Sequence, residues 1–247
     1  MSGGAGRLGP MTGFFVVVEG GDGVGKTTQI DLLAGRLRAP AGGGFDVLTT
    51  REPGGTDLGQ ELRQAIMHGG HVAPRAEALL YAADRAHHIH TKVRPALERG
   101  AVVLQDRYVD SSIVYQGGAR GLGEEVERIS RWATEGLLPD LTIVLDMEPS
   151  QGRLDRELDR VERETAEYAA LIRQAFRDLA ARAPERYAVI DAARTVEEVA
   201  ADVAAATADA MARKGFGPAD AWARLGAAGT PGDEGAGDLA TEPWGTP

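Results

Sequence analysis

Gly20-Gly21-Asp22-Gly23-Val24-Gly25-Lys26-Thr27 fits the pattern G-x-x-x-x-G-K-[ST], with Thr28 directly after it. Glycines at these places let the backbone take positive φ, so that N–H groups and the start of a following helix face negative charge. A lysine closing the pattern reaches β- and γ-phosphates, and the neighbouring hydroxyl is a ligand for Mg²⁺. Gly20 to Thr28 are therefore expected to cradle a nucleoside triphosphate, with Lys26 on the phosphates and Thr27 on the metal. The chain has three lysines, Lys26, Lys92 and Lys214, against 24 arginines, so a lysine at this place carries extra weight. Asp106 ends a short apolar run, where the strands of open α/β sheets meet their ligands. It is expected to hold Mg²⁺ directly or through water, capping of the next helix being the ordinary alternative.

Such residues act only if a scaffold brings them together. Phe14 to Val18 is a short, continuous, β-rich run suited to a strand buried on both faces of a parallel sheet. Asp46 to Thr50, Ala101 to Asp106, Leu141 to Asp146 and Tyr187 to Asp191 repeat the pattern, each separated from the next by enough residues for a crossover helix. The predicted class is α/β, a three-layer α/β/α fold of the phosphate-loop type with a five-stranded parallel sheet. Helical periodicity runs over Thr27 to Arg38 through Ile30, Leu33 and Leu37, and over Val126 to Leu138 through Ile129, Trp132 and Leu137. Thr195-Val196-Glu197-Glu198 reads as a capping box opening a helix with Val196, Val199 and Val203 on one face. Residues 1–13 read as a flexible leader, 14–214 as the folded unit, and 215–247, built of Gly, Ala, Pro, Asp and Glu, as a disordered tail in which Trp222 and Trp244 are exposed.

Composition narrows the function. The 247 residues carry 37 acidic against 27 basic side chains, a net charge of −10, which disfavours nucleic acid as a partner. There is no cysteine, so disulfides, thiolate metal sites and cysteine nucleophiles are excluded. No apolar run approaches the ~20 residues of a membrane span, and no secretory signal is evident, so a cytoplasmic protein is expected without a membrane partner.

Beyond the phosphate loop, the chain carries Arg51-Glu52-Pro53-Gly54-Gly55-Thr56, Tyr81-Ala82-Ala83-Asp84-Arg85, Asp106-Arg107-Tyr108 and Ser111-Ser112-Ile113-Val114-Tyr115-Gln116-Gly117. In order and spacing these motifs resemble the thymidylate kinases of the bacterial type, from about Phe14 to Met211. The resemblance implies transfer of the γ-phosphoryl group of ATP to thymidine 5′-monophosphate, Mg²⁺ as the metal, and a homodimer.

It also implies roles. Arg85 and Arg107 would bind the acceptor's 5′-phosphate, for which a planar guanidinium fork is suited, and Arg51, with Glu52 and Pro53 of the same loop, would contact the acceptor. Tyr81, one helical turn before Arg85, stands where the family usually has Phe and would stack on the base. Gln116 with Ser111 or Ser112 would hydrogen-bond the base, and Tyr115 would pack beneath the sugar. All would serve equally as helix-surface residues but for their motif. Asp22 matches a carboxylate near the sugar and acceptor, but Gly23 follows it where some members place a catalytic arginine. That charge would come from a lid over about 147–163, which looks shorter than usual before Asp159-Arg160. Arg153 or Arg156 is the expected catalytic residue there, a solvated charged helix being the plain alternative. Two other outputs fit the same residues: a family kinase retuned to a modified deoxypyrimidine monophosphate, and a nucleotide-binding protein without turnover.

Overall fold

Alternation within the first apolar run sends Phe14, Val16 and Val18 to one side of a sheet and Phe15 and Val17 to the other, all fully buried. The computed structural model describes residues 12–148 and 166–227. The strands are β1 (Phe14–Gly20), β2 (Val47–Arg51), β3 (Val102–Asp106), β4 (Leu141–Asp146) and β5 (Tyr187–Asp191). They form one parallel sheet in the order β2-β3-β1-β4-β5, as expected for the α/β class. Register pairs Val18 with Asp106, Arg51 with Asp106 and Gly20 with Leu145, so the carboxyl ends of β2, β3, β1 and β4 finish close together.

Helices cover both faces. On one lie α1 (Lys26–Arg38) and α8 (Val196–Lys214), which bring Leu33, Leu37, Val199, Val203 and Met211 against Val16, Leu104 and Ile143. On the other, α4 (Arg94–Glu98) brings Ala96 and Leu97 against Phe15 and Val103, and α7 (Ala166–Arg182) brings Ile172 and Phe176 against Val144. Helices α2 (Asp57–His68) and α3 (Pro74–His88) follow β2, and α5 (Val109–Ser112) and α6 (Glu125–Ala133) follow β3. Ile113–Ala119 between α5 and α6 is a π-helical turn, a distortion frequent at functional sites.

Three sequence expectations are corrected. The helix predicted to Leu138 stops at Ala133, because Glu135 and Gly136 take left-handed φ of 52° and 72°. Its inner face is Val126, Ser130 and Ala133, a stripe with a serine in the middle, while Trp132 points outward at 81% exposure. The capping box at Thr195 and Glu198 is present, but Val196 is half exposed at the first helical position and the packed face is Val199, Val203 and Met211. The stretch from Gly215, expected to lack structure, folds over residues 215–227. Gly215 ends α8 at φ 66°, and α9 (Ala219–Ala227) packs back on α8 with Leu225 buried. Apolar spacing was hidden by alanines, and Trp222 is partly buried, donating from Nε1 to Phe216 O at 2.7 Å. Residues 1–11, 149–165 and 228–247 lie outside the described residues, and with them Arg153, Arg156, Arg160, Arg163 and Trp244.

Candidate active site

The phosphate loop joins β1 to α1. Gly25, the residue before α1, has φ 93° and Gly23 has φ 75°, a conformation that any Cβ would strain. Lys26 is buried and folds back on the loop, its Nζ donating to Gly21 O at 2.7 Å and Gly20 O at 3.3 Å. Burial first, then the neighbouring Arg107, push its pKa down to about 8, against the pull of Asp106, Asp22 and Glu19. An anion in the loop would raise it again.

Thr27 and Asp106 meet at the start of α1 and the end of β3: Thr27 Oγ1 donates to Asp106 Oδ2 at 3.1 Å. Asp106 Oδ1 is buried and has no hydrogen-bond partner. Among the described residues no group of three or more His, Asp or Glu could hold a metal ion. A carboxylate oxygen left over beside a hydroxyl suits a small hard cation that keeps waters and takes its other ligands from phosphate, as Mg²⁺ does. The residues present therefore fit that ion.

Directly after Asp106 the backbone turns sharply. Arg107 has φ 64°, which costs a non-glycine residue about 1 kcal/mol or more. The turn is held on every side: Arg107 N donates to Val18 O at 3.1 Å, Gln105 Nε2 donates to Arg107 O at 2.9 Å, and Tyr108 N donates to Glu19 Oε1 at 2.7 Å. In this conformation the guanidinium reaches the phosphate loop. Nη1 donates to Gly20 O at 3.2 Å and Ser111 Oγ at 3.0 Å, and Nη2 is paired with Asp22. Burial works against its charge, but Tyr115, Asp22, Asp106 and Glu19 hold its pKa well above the ordinary arginine value. Tyr115 lies beneath the same group, its ring centroid 5.3 Å from the guanidinium carbon, and its hydroxyl donates to Asp22 Oδ2 at 3.4 Å.

Beside this loop opens a cleft of about 620 Å³, whose lining includes Asp22, Glu52, Pro53, Tyr81, Arg85, Arg107, Ser111, Ser112, Tyr115 and Gln116. Nine of the ten residues expected to bind an acceptor are thus brought to one cavity, from the β2–α2 loop, α3, the turn after β3, α5 and the π-helical turn. The tenth, Arg51, ends β2 opposite Asp106 and is not part of that lining.

Arg85 differs from Arg107 in its surroundings. It is 2% exposed and ion-paired with Glu52 through Nε at 2.7 Å. Nη1 donates to Ser130 Oγ at 3.1 Å, and Nη2 donates to Tyr108 O at 3.1 Å and Ser112 Oγ at 3.0 Å. Glu52 also contacts His88 Nδ1 at 3.0 Å, and His88 Nε2 meets Thr50 Oγ1 at 2.7 Å. Although burial raises the Glu52 pKa, Arg85 and His88 bring it below the usual value, so the pair is an internal salt bridge. Both arginines expected to bind a phosphate thus have a carboxylate partner, but the Arg85–Glu52 pair is fully buried whereas the Arg107–Asp22 pair is partly exposed to the cleft.

Several site residues escaped the sequence reading. Glu77 on α3 is buried and accepts Gln116 Nε2 at 3.1 Å, fixing that amide. Ser130 braces Arg85, and Arg63 and Met67 of α2 join the cleft wall. For these no local signal exists. Glu19 did leave one, as a lone carboxylate inside the apolar strand before the glycines.

The family profile described as thymidylate kinase matches residues 18–203. A thymidylate kinase of Clavibacter michiganensis subsp. michiganensis (strain NCPPB 382) is 55% identical over 200 residues, 78% of this chain and 93% of that protein. One from Leifsonia xyli subsp. xyli (strain CTCB07) is 56% identical over 198 residues, 77% and 92% of the two chains. The chain belongs to the thymidylate kinase family. A crystal structure of thymidylate kinase from Ehrlichia chaffeensis superposes with a TM-score of 0.62 at 31% identity, covering 72% of this chain and 92% of that one. The fold is shared, and α9 lies beyond the residues the profile matches.

Proposed function

We propose that this chain transfers the γ-phosphoryl group of ATP to thymidine 5′-monophosphate, giving the diphosphate and ADP. The observation that carries the reading is Arg107, which spans from the acceptor cleft to Gly20 and Asp22 of the phosphate loop and so couples two anion sites. Donor and acceptor are both anionic, and the reaction needs them in line with their repulsion offset. Lys26 moves from the loop carbonyls onto the β- and γ-phosphates. Thr27 and Asp106 would hold Mg²⁺, which would offset the negative charge of the phosphates. Arg107 takes the acceptor's 5′-phosphate, one of whose oxygens attacks the γ-phosphorus as the bond to the ADP oxygen breaks.

Arg85, buried with its partner Glu52, braces the cleft wall through Ser112 and Ser130, and Arg107, whose pair with Asp22 is partly exposed, is the main phosphate ligand. Tyr81 stacks on the base, Gln116 and Ser112 bond its edge, and Tyr115 lies against the sugar with Asp22 nearby. Arg153 or Arg156 meets the transferring group, a role supported by the family resemblance alone. Residues 14–214 form the catalytic unit, a boundary supported by the profile match to 18–203. A cytoplasmic location is in keeping with ATP as donor; among the described residues no helix is long and apolar enough to cross a membrane. A homodimer is supported by Leu58, Leu79 and Trp132, large exposed apolar side chains on the neighbouring helices α2, α3 and α6.

The deciding experiment incubates the purified chain with Mg²⁺, ATP and thymidylate and follows the diphosphate, alongside the uracil and 5-hydroxymethyluracil deoxynucleotides. Thymidylate is expected to be the preferred acceptor. Preference for another base, or binding of both nucleotides without turnover, overturns the reading.

A further inference from the structure

Glu19 is a carboxylate with no exposed surface, one residue before the phosphate loop, and it does not line the cleft. Its Oε1 accepts from Tyr108 N at 2.7 Å and Ser111 N at 3.2 Å, and its Oε2 accepts the Ser111 hydroxyl at 2.6 Å. These bonds clamp both ends of the segment that carries Arg107 out of β3 and into α5. A hydroxyl has one proton, and here Glu19 takes it, which leaves the Ser111 lone pairs to accept Arg107 Nη1 at 3.0 Å. The order of donors is thus Arg107 to Ser111 to Glu19.

We propose that Glu19 is a positioning residue for the acceptor: acting through Ser111 and the backbone of residues 108–111, it holds the Arg107 guanidinium where the incoming 5′-phosphate must bind. The inference rests on the acceptor role given to Arg107 above. The charge is kept at a cost. Burial, and then Asp110 on α5, push the Glu19 pKa up to about 7, while Arg107 and the bonds from Ser111 and Tyr108 pull it down. Lys26 on α1, Tyr115 and Tyr187 on β5 complete the titratable groups in its field. A neutral residue would be cheaper to bury. When Glu19 is protonated its own proton can occupy the bond to Ser111, and the order of donors that fixes Arg107 is lost.

The test measures kcat and KM for thymidylate and for ATP in the wild type, Glu19→Gln, Glu19→Asp, Ser111→Ala and the Glu19→Gln/Ser111→Ala double variant. Wild-type turnover comes first, because its absence refutes the kinase reading and with it the basis of this one. Glu19→Gln is expected to lose about tenfold in kcat/KM for thymidylate, mostly through KM, with the ATP KM unchanged. Its unfolding midpoint at pH 8 should be no lower than the wild type's, which a merely structural role would not give. Glu19→Asp, which keeps the charge, should recover part of the loss, and the double variant should be no worse than Ser111→Ala. Wild-type constants in Glu19→Gln, equal losses toward both nucleotides, or additive losses in the double variant would overturn the proposal. If Glu19→Gln does not fold, Ser111→Ala decides alone, and an unchanged thymidylate KM there is refutation.

Discussion

Thr27 Oγ1 and Asp106 Oδ2 lie 3.1 Å apart across the gap between α1 and β3, and the other oxygen of Asp106 is buried without a hydrogen-bond partner. Seventy-nine residues separate them in the chain, and the β1–β3 register closes that distance. The pair is prepared for a cation at its open edge.

Asp106→Asn should therefore slow turnover by about 100-fold or more, because an amide gives up the charge that the ion would meet. Titrating Mg²⁺ should show a higher concentration for half-maximal rate in the variant. A variant with wild-type Mg²⁺ dependence would remove Asp106 from the metal's surroundings.

Arg107→Ala should raise the thymidylate KM by about 100-fold, and Arg107→Lys should restore little of it, since an ammonium cannot reproduce the fork between Gly20, Ser111 and the phosphate. The backbone gives a second readout. At φ 64° alanine keeps a Cβ that glycine lacks, so Arg107→Gly should be more stable than Arg107→Ala by about 1 kcal/mol in denaturant unfolding.

Two buried carboxylates tie stability to pH. Burial and the nearby Glu52 raise Asp84 from 3.8 to about 6, and burial with Asp110 raises Glu19 from 4.5 to about 7. In each case the folded chain binds a proton more tightly than the unfolded one. Their contribution is whole below the unfolded pKa values and is lost as pH rises through about 6 and about 7. Unfolding free energy should accordingly fall between pH 4 and pH 8. Asp84→Asn should flatten that slope by an amount on the order of 2 kcal/mol. A steeper slope in the variant would contradict the assignment.

Leu225 is buried where α9 meets α8, far in sequence from every cleft residue. Leu225→Ala should lower unfolding free energy by about 2 to 4 kcal/mol with both KM values unchanged. Denaturant unfolding and steady-state kinetics on one preparation check both halves.

What the sequence disclosed was what is local. The loop Gly20 to Thr28 and the strand-end Asp106 could be read because their chemistry sits in a few consecutive residues bounded by apolar runs. The wall behind the cleft could not. Arg85 is bonded to Glu52 of the β2–α2 loop, Tyr108 and Ser112 around α5, and Ser130 of α6, and no spacing in the chain announces that these meet. The motif that singles out Arg85 is silent on its neighbours, and only the folded chain shows the buried pair with Glu52. Helix α6 failed for a related reason, since Ser130 occupies the inward position and Trp132, which periodicity counted as core, faces outward. The helix after Gly215 went unread because alanines and glycines weaken the apolar rhythm that Trp222 and Leu225 complete.

Lys214, the last residue of α8, donates from Nζ to Gly13 O at 3.2 Å, so the entry to β1 and the exit of α8 touch. The phosphate loop begins at the other end of β1, about 20 Å away for a seven-residue strand. Lys214 and Gly13 thus close the sheet at the end remote from the cleft, so a change to this contact would reach the fold without reaching the residues that meet the nucleotides.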